Sequence, residues 1–351
     1  MPERVLAPDT IHKPFHHHAT LVSKRDCGSW PVMLTPYDET LKIHWSSFEQ
    51  LVEWYLGAGS QGLFASCLSS DLFQLTREER REIIRQTLVL TRGRIPVIAA
   101  GAFTENVSST CAVLNSTEKL ADEVNRIADL GVRAVVLLTN QFATPTDPDS
   151  MWLKYMEATL SKIRPNIRLG LYECPVPYKR LLTPKLVQWA SETGRFYFIK
   201  DTCCDLEQIR ARLQAIKSVP DCRLRLYNAH TGTLFDSLLA GAHGFSGVGS
   251  NAIPHLYAWL CRNAQRQPDV ARELQVFLIE STSVVDMDYP QSVRLYLNQH
   301  GFNISHVTRL TAQNKLQLNS ETLTEFHRSV VQWERRLKLN SPFEFISPIS
   351  L

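Results

Sequence analysis

The sequence lacks the features that mark nucleic-acid-binding, membrane and secreted proteins. Its 351 residues include 38 basic and 35 acidic side chains, so the net charge is only +3, and no run of Lys and Arg stands out. This balance argues against the strongly basic surface that nucleic acids and anionic membranes attract. No apolar run reaches the ~18 residues of a membrane span. The first residues also lack the apolar core of a signal peptide. We therefore expect a cytoplasmic protein without nucleic-acid or membrane partners.

The cysteines follow no disulfide framework and no metal-binding spacing. None of the eight forms a CxxC pair or a zinc-ligand pattern, and their scatter fits reduced thiols in the cytosol. His16, His17 and His18 are the other potential metal ligands, but adjacent residues on a loosely held arm lack a fixed ligand geometry. We therefore predict no metal site. The cysteines are Cys27, Cys67, Cys111, Cys174, Cys203, Cys204, Cys222 and Cys261.

Short apolar runs alternate with amphipathic helical patterns through most of the chain. The apolar runs begin at about residues 31, 62, 95, 133, 167, 196, 222 and 243, and the gaps of ~21 to ~38 residues have the size of one strand–helix unit. Eight such units in succession predict an α/β fold, a (β/α)8 TIM barrel. A doubly wound open sheet is the alternative. It is less favoured because the first strand ends in Thr35, Pro36 and Tyr37 without a glycine-rich phosphate loop.

The strand pattern stops at about residue 266. The rest of the chain shows helical periodicity, and its last helical stretch places the apolar residues from Leu323 to Leu337 on one face. The predicted organisation is therefore an N-terminal arm over residues 1–28, a (β/α)8 barrel over 29–265 and a C-terminal helical appendage over 266–351.

Lys200 is the residue that first suggests chemistry. It ends the apolar run 196–199, where a lysine is rarely buried without a partner, and burial favours loss of its proton. Active residues of barrels lie at the carboxyl ends of strands, which places Lys200 beside Tyr172 at the end of the preceding strand. For each of the two residues a structural role is the alternative. Lys200 would pair with Asp201 or another acidic neighbour, and the Tyr172 hydroxyl would bond to the backbone.

This pair of side chains suits imine chemistry. A desolvated lysine attacks a ketone, loses water and leaves a protonated imine, which withdraws electrons from the adjacent C–C or C–H bond. A phenol within hydrogen-bond reach transfers the protons that each step needs. After the second strand, the hydroxyls and N–H groups of Ser69 and Ser70 are candidates to hold a substrate carboxylate. Capping of a helix or loop is the structural alternative for both serines.

Other polar residues at predicted strand ends either contact the substrate or have a structural role. Thr35 and Ser246 end the first and eighth strands, and we include both as candidate substrate-binding residues. The segment that follows Ser246 offers backbone groups and a helix N-terminus, or is a purely structural turn. Asn228 and His230 follow the seventh strand. They either line the far end of the substrate or form the turn and cap before a helix.

Several stretches that contain these residues resemble motifs of the dihydrodipicolinate synthase / N-acetylneuraminate lyase group of class I aldolases. The resemblance extends over about residues 30–260. The stretch LYECP resembles the family's L-Y-N-x-P, which places Tyr172 as the catalytic tyrosine. FIKDTCCD resembles I-K-[DE]-[ST]-[ST], which places Lys200 as the Schiff-base lysine, and PVMLTPYDE resembles the opening T-P-[FM] segment. CLSSDLFQLTREER aligns without a gap to G-T-T-G-E-x-x-x-L-T-x-E-E. This alignment places Ser69 and Ser70 at or beside the family's carboxylate-binding threonines.

Three departures from the family pattern bear on the substrate. The family's T-P-Y-Y segment is TNQF at residues 139–142, so the tyrosine that often completes the proton relay from a neighbouring subunit is missing. Tyr37 is one candidate to replace it. The arginine five residues after the catalytic tyrosine in the synthase branch is Pro177 here, and Cys67 and Leu68 replace glycine and threonine of the carboxylate loop. These changes argue against lysine biosynthesis itself and against sialic acid cleavage.

The resemblance implies a Schiff-base lyase that acts on pyruvate or a larger 2-oxo acid through Lys200, with Tyr172 as proton shuttle. An aldehyde is the candidate second substrate. The resemblance also implies no cofactor beyond the covalent imine, and a homodimer or homotetramer. The alternative is a catalytically inactive barrel that binds a 2-oxo acid or sugar acid as a sensor or scaffold. A metal-dependent hydrolase is a weaker alternative, because the first six strands end in no cluster of His, Asp and Glu.

Overall fold

Eight parallel strands form the centre of the protein. The computed structural model describes residues 27–101, 117–305, 308–309 and 319–345, so the three adjacent histidines and Cys111 lie outside the described residues. The strands begin close to the predicted positions. They are β1 Gly28–Ser29, β2 Leu63–Phe64, β3 Val97–Ala100, β4 Ala134–Leu138, β5 Leu169–Tyr172, β6 Phe196–Asp201, β7 Arg225–Asn228 and β8 Gly244–Phe245.

The strands close into a ring. They pair in the order β1, β8, β7, β6, β5, β4, β3, β2, and every pairing is parallel. The segment that continues β1 closes the ring, because Val32 forms a parallel bridge with Phe64 of β2. The N–H of Met33 also donates to the Phe64 carbonyl at 3.1 Å. A closed ring of parallel strands joined by helices is a (β/α)8 barrel, so the predicted fold class is confirmed.

A helix follows each strand and covers the outside of the ring. Local sequence signals position several of these helices. The Thr76 hydroxyl accepts from the Glu79 N–H at 3.1 Å while the Glu79 carboxylate accepts from the Thr76 N–H at 2.9 Å, and this capping box starts α2. The helices are α1 Trp45–Gly57, α2 Arg77–Thr91, α3 Thr117–Ala128, α4 Asp149–Leu160, α5 Pro184–Glu192, α6 Leu206–Lys217, α7 Leu234–Ala240 and α8 Pro254–Asn263.

Three more helices follow the barrel, as the helical periodicity predicts. They are α9 Pro268–Val285, α10 Gln291–Asn298 and α11 Ser320–Leu337. Arg294 of α10 is fully buried, and its guanidinium donates to the Thr35 carbonyl at 2.6 Å, just beyond the first strand. This hydrogen bond ties the C-terminal helices to the carboxyl-end face of the barrel, where active sites of this fold lie.

The predicted division of the chain stays a prediction. Of the arm predicted over residues 1–28, only the last two residues belong to the described part of the chain, and Gly28 already forms part of β1. The predicted boundary at residues 265 and 266 lies between α8 and α9.

Three properties bear on membranes, disulfides and metals. In the described part of the chain, no helix combines the length and apolarity that crossing a bilayer requires. Over the same residues, no cysteine forms a disulfide. The described ranges also contain no group of three or more His, Cys, Asp or Glu side chains placed to hold a metal ion.

Aromatic side chains fill the barrel interior below the strand ends. The rings of Phe198 and Tyr227 stack with centroids 4.6 Å apart, and Phe64 meets Phe198 edge-on at 6.2 Å. Alternate residues of a strand face the same side, so Lys200 faces the interior on β6 together with Phe198. Any side chain above this layer is therefore surrounded by apolar groups.

Candidate active site

Lys200 lies inside the barrel beside the ring of Tyr172. Its side chain is only 5% exposed, and Nζ lies 4.4 Å from the centroid of the Tyr172 ring and 5.9 Å from that of Phe64. The two residues are register partners in the pairing of β5 with β6. Neighbouring strands therefore present the amine and the phenol at the same depth, which is the placement that the sequence predicts.

Burial lowers the pKa of Lys200 from 10.5 to about 8. The cause is desolvation of the ammonium, and the nearby thiols of Cys67 and Cys174 oppose it. Burial also raises the pKa of the Cys67 thiol, and that of Cys174 to about 11. Both thiols therefore keep their protons at neutral pH and do not neutralise the lysine. About a tenth of Lys200 is then the neutral amine at pH 7.

Asp201 does not pair with Lys200. Successive residues of a strand point to opposite sides, and the Asp201 carboxylate lies outside the ring, where it pairs with Arg212 of α6. Among the residues that the structure describes, no carboxylate forms an ion pair with Lys200. The interpretation of Lys200 as the partner of Asp201 is therefore wrong.

The guanidinium of Arg212 bridges β5 and β6 behind the site. It pairs with Asp201 and, at 2.9 Å, with Glu173, and all three side chains are at most 1% exposed. Glu173 and Asp201 directly follow Tyr172 and Lys200 in the sequence. Buried charge-assisted hydrogen bonds of this kind fix orientation, so Arg212 holds the two strand ends in place. Sequence analysis missed Arg212, because nothing on α6 distinguishes it until the fold is known.

Tyr172 is a protonated phenol at neutral pH. It is 3% exposed, and burial raises its pKa well above 10, with further contributions from the thiols of Cys174 and Cys67. The Cys174 thiol lies near its hydroxyl. Tyr172 is therefore suited to enter a reaction as a proton donor.

Three of the predicted substrate-binding hydroxyls form hydrogen bonds with the backbone. Thr35 Oγ1 donates to the Ser70 carbonyl at 2.8 Å, and Ser246 Oγ donates to the Trp30 carbonyl, directly after β1, at 3.0 Å. Ser70 Oγ lies 2.7 Å from the Met33 carbonyl and 2.8 Å from the Ala65 carbonyl. All three hydroxyl-bearing residues are fully buried. These bonds give the hydroxyls structural positions, and their contact with a substrate stays a prediction.

Ser69 faces a tyrosine that sequence analysis missed. Ser69 is half-buried and lies near Tyr289, whose hydroxyl accepts from Asn251 Nδ2 at 2.8 Å. Tyr289 lies between α9 and α10, and it acts electrostatically on Tyr172. A second tyrosine therefore reaches the site from the C-terminal region of the same chain. No local motif announces it.

Tyr37 belongs to a different cluster. It is 1% exposed, its hydroxyl lies beside the Asp71 carboxylate, and burial strongly raises its pKa. The guanidiniums of Arg294 and Arg309 lie 5.6 and 4.8 Å from the centroid of its ring. These interactions hold the loop after β1 against the C-terminal region, and they give no support to Tyr37 as the replacement for the missing relay tyrosine.

Asparagines after β4 and β7 organise the loops around the site. The Asn140 side-chain nitrogen lies 2.8–2.9 Å from the carbonyls of residues 174, 176 and 178, in the loop after Tyr172. Asn228 Nδ2 donates to the Thr233 hydroxyl at 2.9 Å, and its Oδ1 accepts from the His230 N–H at 2.8 Å. Asn228 therefore stabilises the turn between β7 and α7, but among the described residues no side chain caps α7, whose N-cap is Thr233.

Comparison with known proteins identifies relatives over most of the chain. A model of the Dihydrodipicolinate synthetase family matches residues 26–330. The 4-hydroxy-tetrahydrodipicolinate synthase of Psychromonas ingrahamii is 27% identical over 248 residues, which cover 70% of this chain and 78% of that protein. The enzyme of the same name from Cellvibrio japonicus is 25% identical over 300 residues, 84% of this chain and 97% of that one.

Solved structures share the fold. A dihydrodipicolinate synthase from Thermotoga maritima has a TM-score of 0.72 and 22% identity, and the match covers 89% of this chain and 99% of that chain. The Acinetobacter baumannii enzyme, complexed with pyruvate, has a TM-score of 0.70 and 21% identity over 88% and 98%. CdNal from Clostridium difficile, in complex with mannosamine, has a TM-score of 0.71 and 16% identity over 86% and 98%.

The family match confirms the family resemblance that the motifs around Tyr172 and Lys200 indicate. It spans all eight strands and the helices that follow them, including most of α11. The chain therefore belongs to the dihydrodipicolinate synthetase family, whose members are carbon–carbon lyases of the class I aldolase type.

Proposed function

We propose that the protein is a Schiff-base-forming lyase that acts on pyruvate or a larger 2-oxo acid, with Lys200 as the amine that forms the imine. The observation that carries the proposal is a buried amine whose pKa is lowered to about 8, placed 4.4 Å from the centroid of a protonated phenol ring. The family supports it, since one solved relative is complexed with pyruvate.

Lys200 and Tyr172 divide the chemistry between them. The Nζ lone pair of neutral Lys200 attacks C2 of the 2-oxo acid, and the carbonyl oxygen takes one proton from Tyr172 and one from Nζ and leaves as water. The resulting iminium accepts the electron pair of a C3–H bond, whose proton passes to the Tyr172 phenolate, or of a C3–C4 bond, whose C4 leaves as an aldehyde, and becomes an enamine. Re-protonation at C3, or addition of the enamine to an aldehyde, then completes exchange or carbon–carbon bond formation. These steps call on no cofactor, because the iminium itself withdraws the electrons.

Ser69 and Tyr289 serve the substrate end of the site. Ser69 lies near Tyr289, and Tyr289 lies near Tyr172, so both are placed to meet a carboxylate or to pass a proton. The predicted substrate contacts of Thr35, Ser70 and Ser246 are not required in this proposal, because the three hydroxyls already hold backbone carbonyls. A cytoplasmic homodimer or homotetramer and an aldehyde co-substrate remain part of the proposal.

Hydrogen–deuterium exchange at C3 tests the function without knowledge of the aldehyde. Pyruvate and longer 2-oxo acids are incubated with the protein in D2O, and loss of the C3 proton signal is followed by NMR. Enamine formation predicts exchange far above the rate in buffer, abolished in Lys200→Met and slowed in Tyr172→Phe. The exposed Lys185 supplies the control variant Lys185→Met, which should exchange like the wild type. Saturable binding of a 2-oxo acid without exchange would favour the sensor or scaffold instead.

A further inference from the structure

A cavity of about 580 Å³ lies at the amino-terminal face of the barrel, opposite to the Lys200 site. The first residues of β4 and β7, Ala134 and Arg225, line it, whereas the candidate active site lies at the carboxyl ends of the strands. Cavities of 300–1,000 Å³ are typical of small-molecule sites. This face is usually structural in (β/α)8 barrels, so a cavity of this size needs a separate explanation.

The floor of the cavity is aromatic. Trp30, Phe198 and Tyr227 line it, and each is less than 10% exposed. The Trp30 ring centroid lies 5.3 Å from that of Phe198 and 5.5 Å from that of Tyr227. The same Phe198–Tyr227 pair lies in the barrel interior beneath Lys200, so this layer separates the two sites. Rings packed in this way offer a surface on which a flat apolar group stacks.

Five arginines also line the cavity: Arg133, Arg223, Arg225, Arg262 and Arg266. Within the described ranges, none of the five forms an ion pair with a carboxylate. Their hydrogen bonds go instead to neutral groups, such as the bond from Arg262 to a backbone carbonyl at 2.8 Å. Several guanidiniums that line one cavity and form no ion pair with a described carboxylate favour the binding of an anion.

The pKa values of groups at the cavity reflect the same positive charge. Burial, and after it the guanidinium of Arg168, lowers the pKa of Arg133. Partial burial raises the pKa of Tyr197, but the hydrogen bond and charge of Arg223, with Arg168, outweigh it and lower that pKa. The exposed carboxyl of Asp221 raises the pKa of Arg223.

We propose that this cavity binds an anion with a flat apolar body, an aromatic or heteroaromatic ring that carries a carboxylate or phosphate group. The ring stacks on the aromatic floor, and the arginines hold the anionic group through paired N–H donors. The Arg133 and Arg225 side chains are only half-buried, so the anion reaches them from solvent. This site shares no proposed catalytic residue with the Lys200 site, and its existence does not depend on imine chemistry.

Equilibrium dialysis of the full chain with 2-naphthoate tests the charge and the ring separately. 2-Naphthol has the same ring without the charge at pH 7, and inorganic phosphate has the charge without the ring. We expect one 2-naphthoate per chain, bound at least about tenfold more tightly than either comparison ligand, since a charge-assisted pair and a stacked ring each contribute about that factor. Equal affinity for 2-naphthol, or no saturable binding, would overturn the proposal.

Three single substitutions locate the site. Arg133→Gln and Arg225→Gln should each weaken 2-naphthoate binding by about tenfold. Arg266→Gln removes an exposed arginine, so it keeps the test decisive even if the half-buried positions prove necessary for folding. Arg210→Gln, an exposed arginine of α6 paired with Glu207, is the control that should bind like the wild type. Unchanged binding in all three cavity variants, or displacement of 2-naphthoate by saturating pyruvate, would contradict the assignment.

Discussion

Replacing Lys200 by methionine should stabilise the protein at pH 7. The fold holds the Lys200 pKa at about 8 rather than 10.5, so at pH 7 it confines an ammonium that the apolar interior disfavours. At ~1.36 kcal/mol per pKa unit, that difference amounts to about 3 kcal/mol of stability lost in the wild type. Methionine keeps an unbranched apolar side chain of similar length and carries no charge, so the variant escapes this cost.

The stabilisation should fade as the pH rises. In the unfolded chain an ordinary lysine keeps its proton up to about pH 10.5, whereas folded Lys200 releases it near pH 8. Between these values the unfolded state binds more protons, so the wild type gains stability with increasing pH. The methionine variant has no such gain at this position. Its advantage of about 3 kcal/mol at pH 7 should fall below about 1 kcal/mol at pH 10.

Urea unfolding followed by circular dichroism, at pH 7 and pH 10, measures both differences. Lys185→Met removes an exposed lysine and should change the free energy of unfolding little at either pH. A Lys200→Met variant that is less stable than the wild type at pH 7 would refute the reasoning. An advantage of the same size at both pH values would refute it too, because the gain would then come from packing rather than from the buried charge.

Four further substitutions test the site and its supports. Arg212→Met leaves two buried carboxylates without a counter-charge and should lower the free energy of unfolding by about 3–5 kcal/mol, measured with urea. Ser70→Ala removes a buried hydroxyl bonded to the backbone, and it should cost about 1–2 kcal/mol of stability while leaving the KM for the 2-oxo acid unchanged. Ser69→Ala should instead raise KM with little effect on stability. Tyr172→Phe should slow C3 exchange by about 10²- to 10⁴-fold while the fold is retained.

The Arg212 variant has a matched control. Arg210→Met, on the exposed side of the same helix as Arg212, should leave stability almost unchanged. If Arg212→Met unfolded at the same urea concentration as the wild type, the buried ion pairs would not hold the strand ends. A rise in KM for Ser70→Ala would give that hydroxyl a substrate contact. Exchange at the wild-type rate in Tyr172→Phe would remove Tyr172 from the proton path.

The barrel and its central pair of residues were predictable because both follow from local periodicity. Each strand is a short apolar run, and neighbouring parallel strands align their ends, so Tyr172 and Lys200 had to meet once the units were counted. The first strand shows the limit of this reasoning. The run that opens at Trp30 predicts a strand there, but the ladder with β8 involves Gly28 and Ser29, and a single bridge at Val32 closes the ring.

The rest of the site depends on contacts between distant segments, which no local pattern announces. Tyr289 comes from a connection beyond the barrel, and Arg212 is one polar residue of an ordinary amphipathic helix. The residue type of Ser70 was recognised, but the short turn at Leu68–Ser70 directs its hydroxyl to the backbone. The cavity arginines are scattered from residue 133 to residue 266, so no basic run reveals them, and only the closed ring collects them on one face.

Borohydride trapping tests the central claim, imine formation at Lys200, most directly. The protein is incubated with pyruvate or a longer 2-oxo acid, reduced, digested and examined by mass spectrometry. We expect an adduct with the mass of the reduced acid on the peptide that contains Lys200, absent in Lys200→Ala. No adduct from any of the acids in folded protein, or an adduct on another lysine that persists in Lys200→Ala, would contradict it.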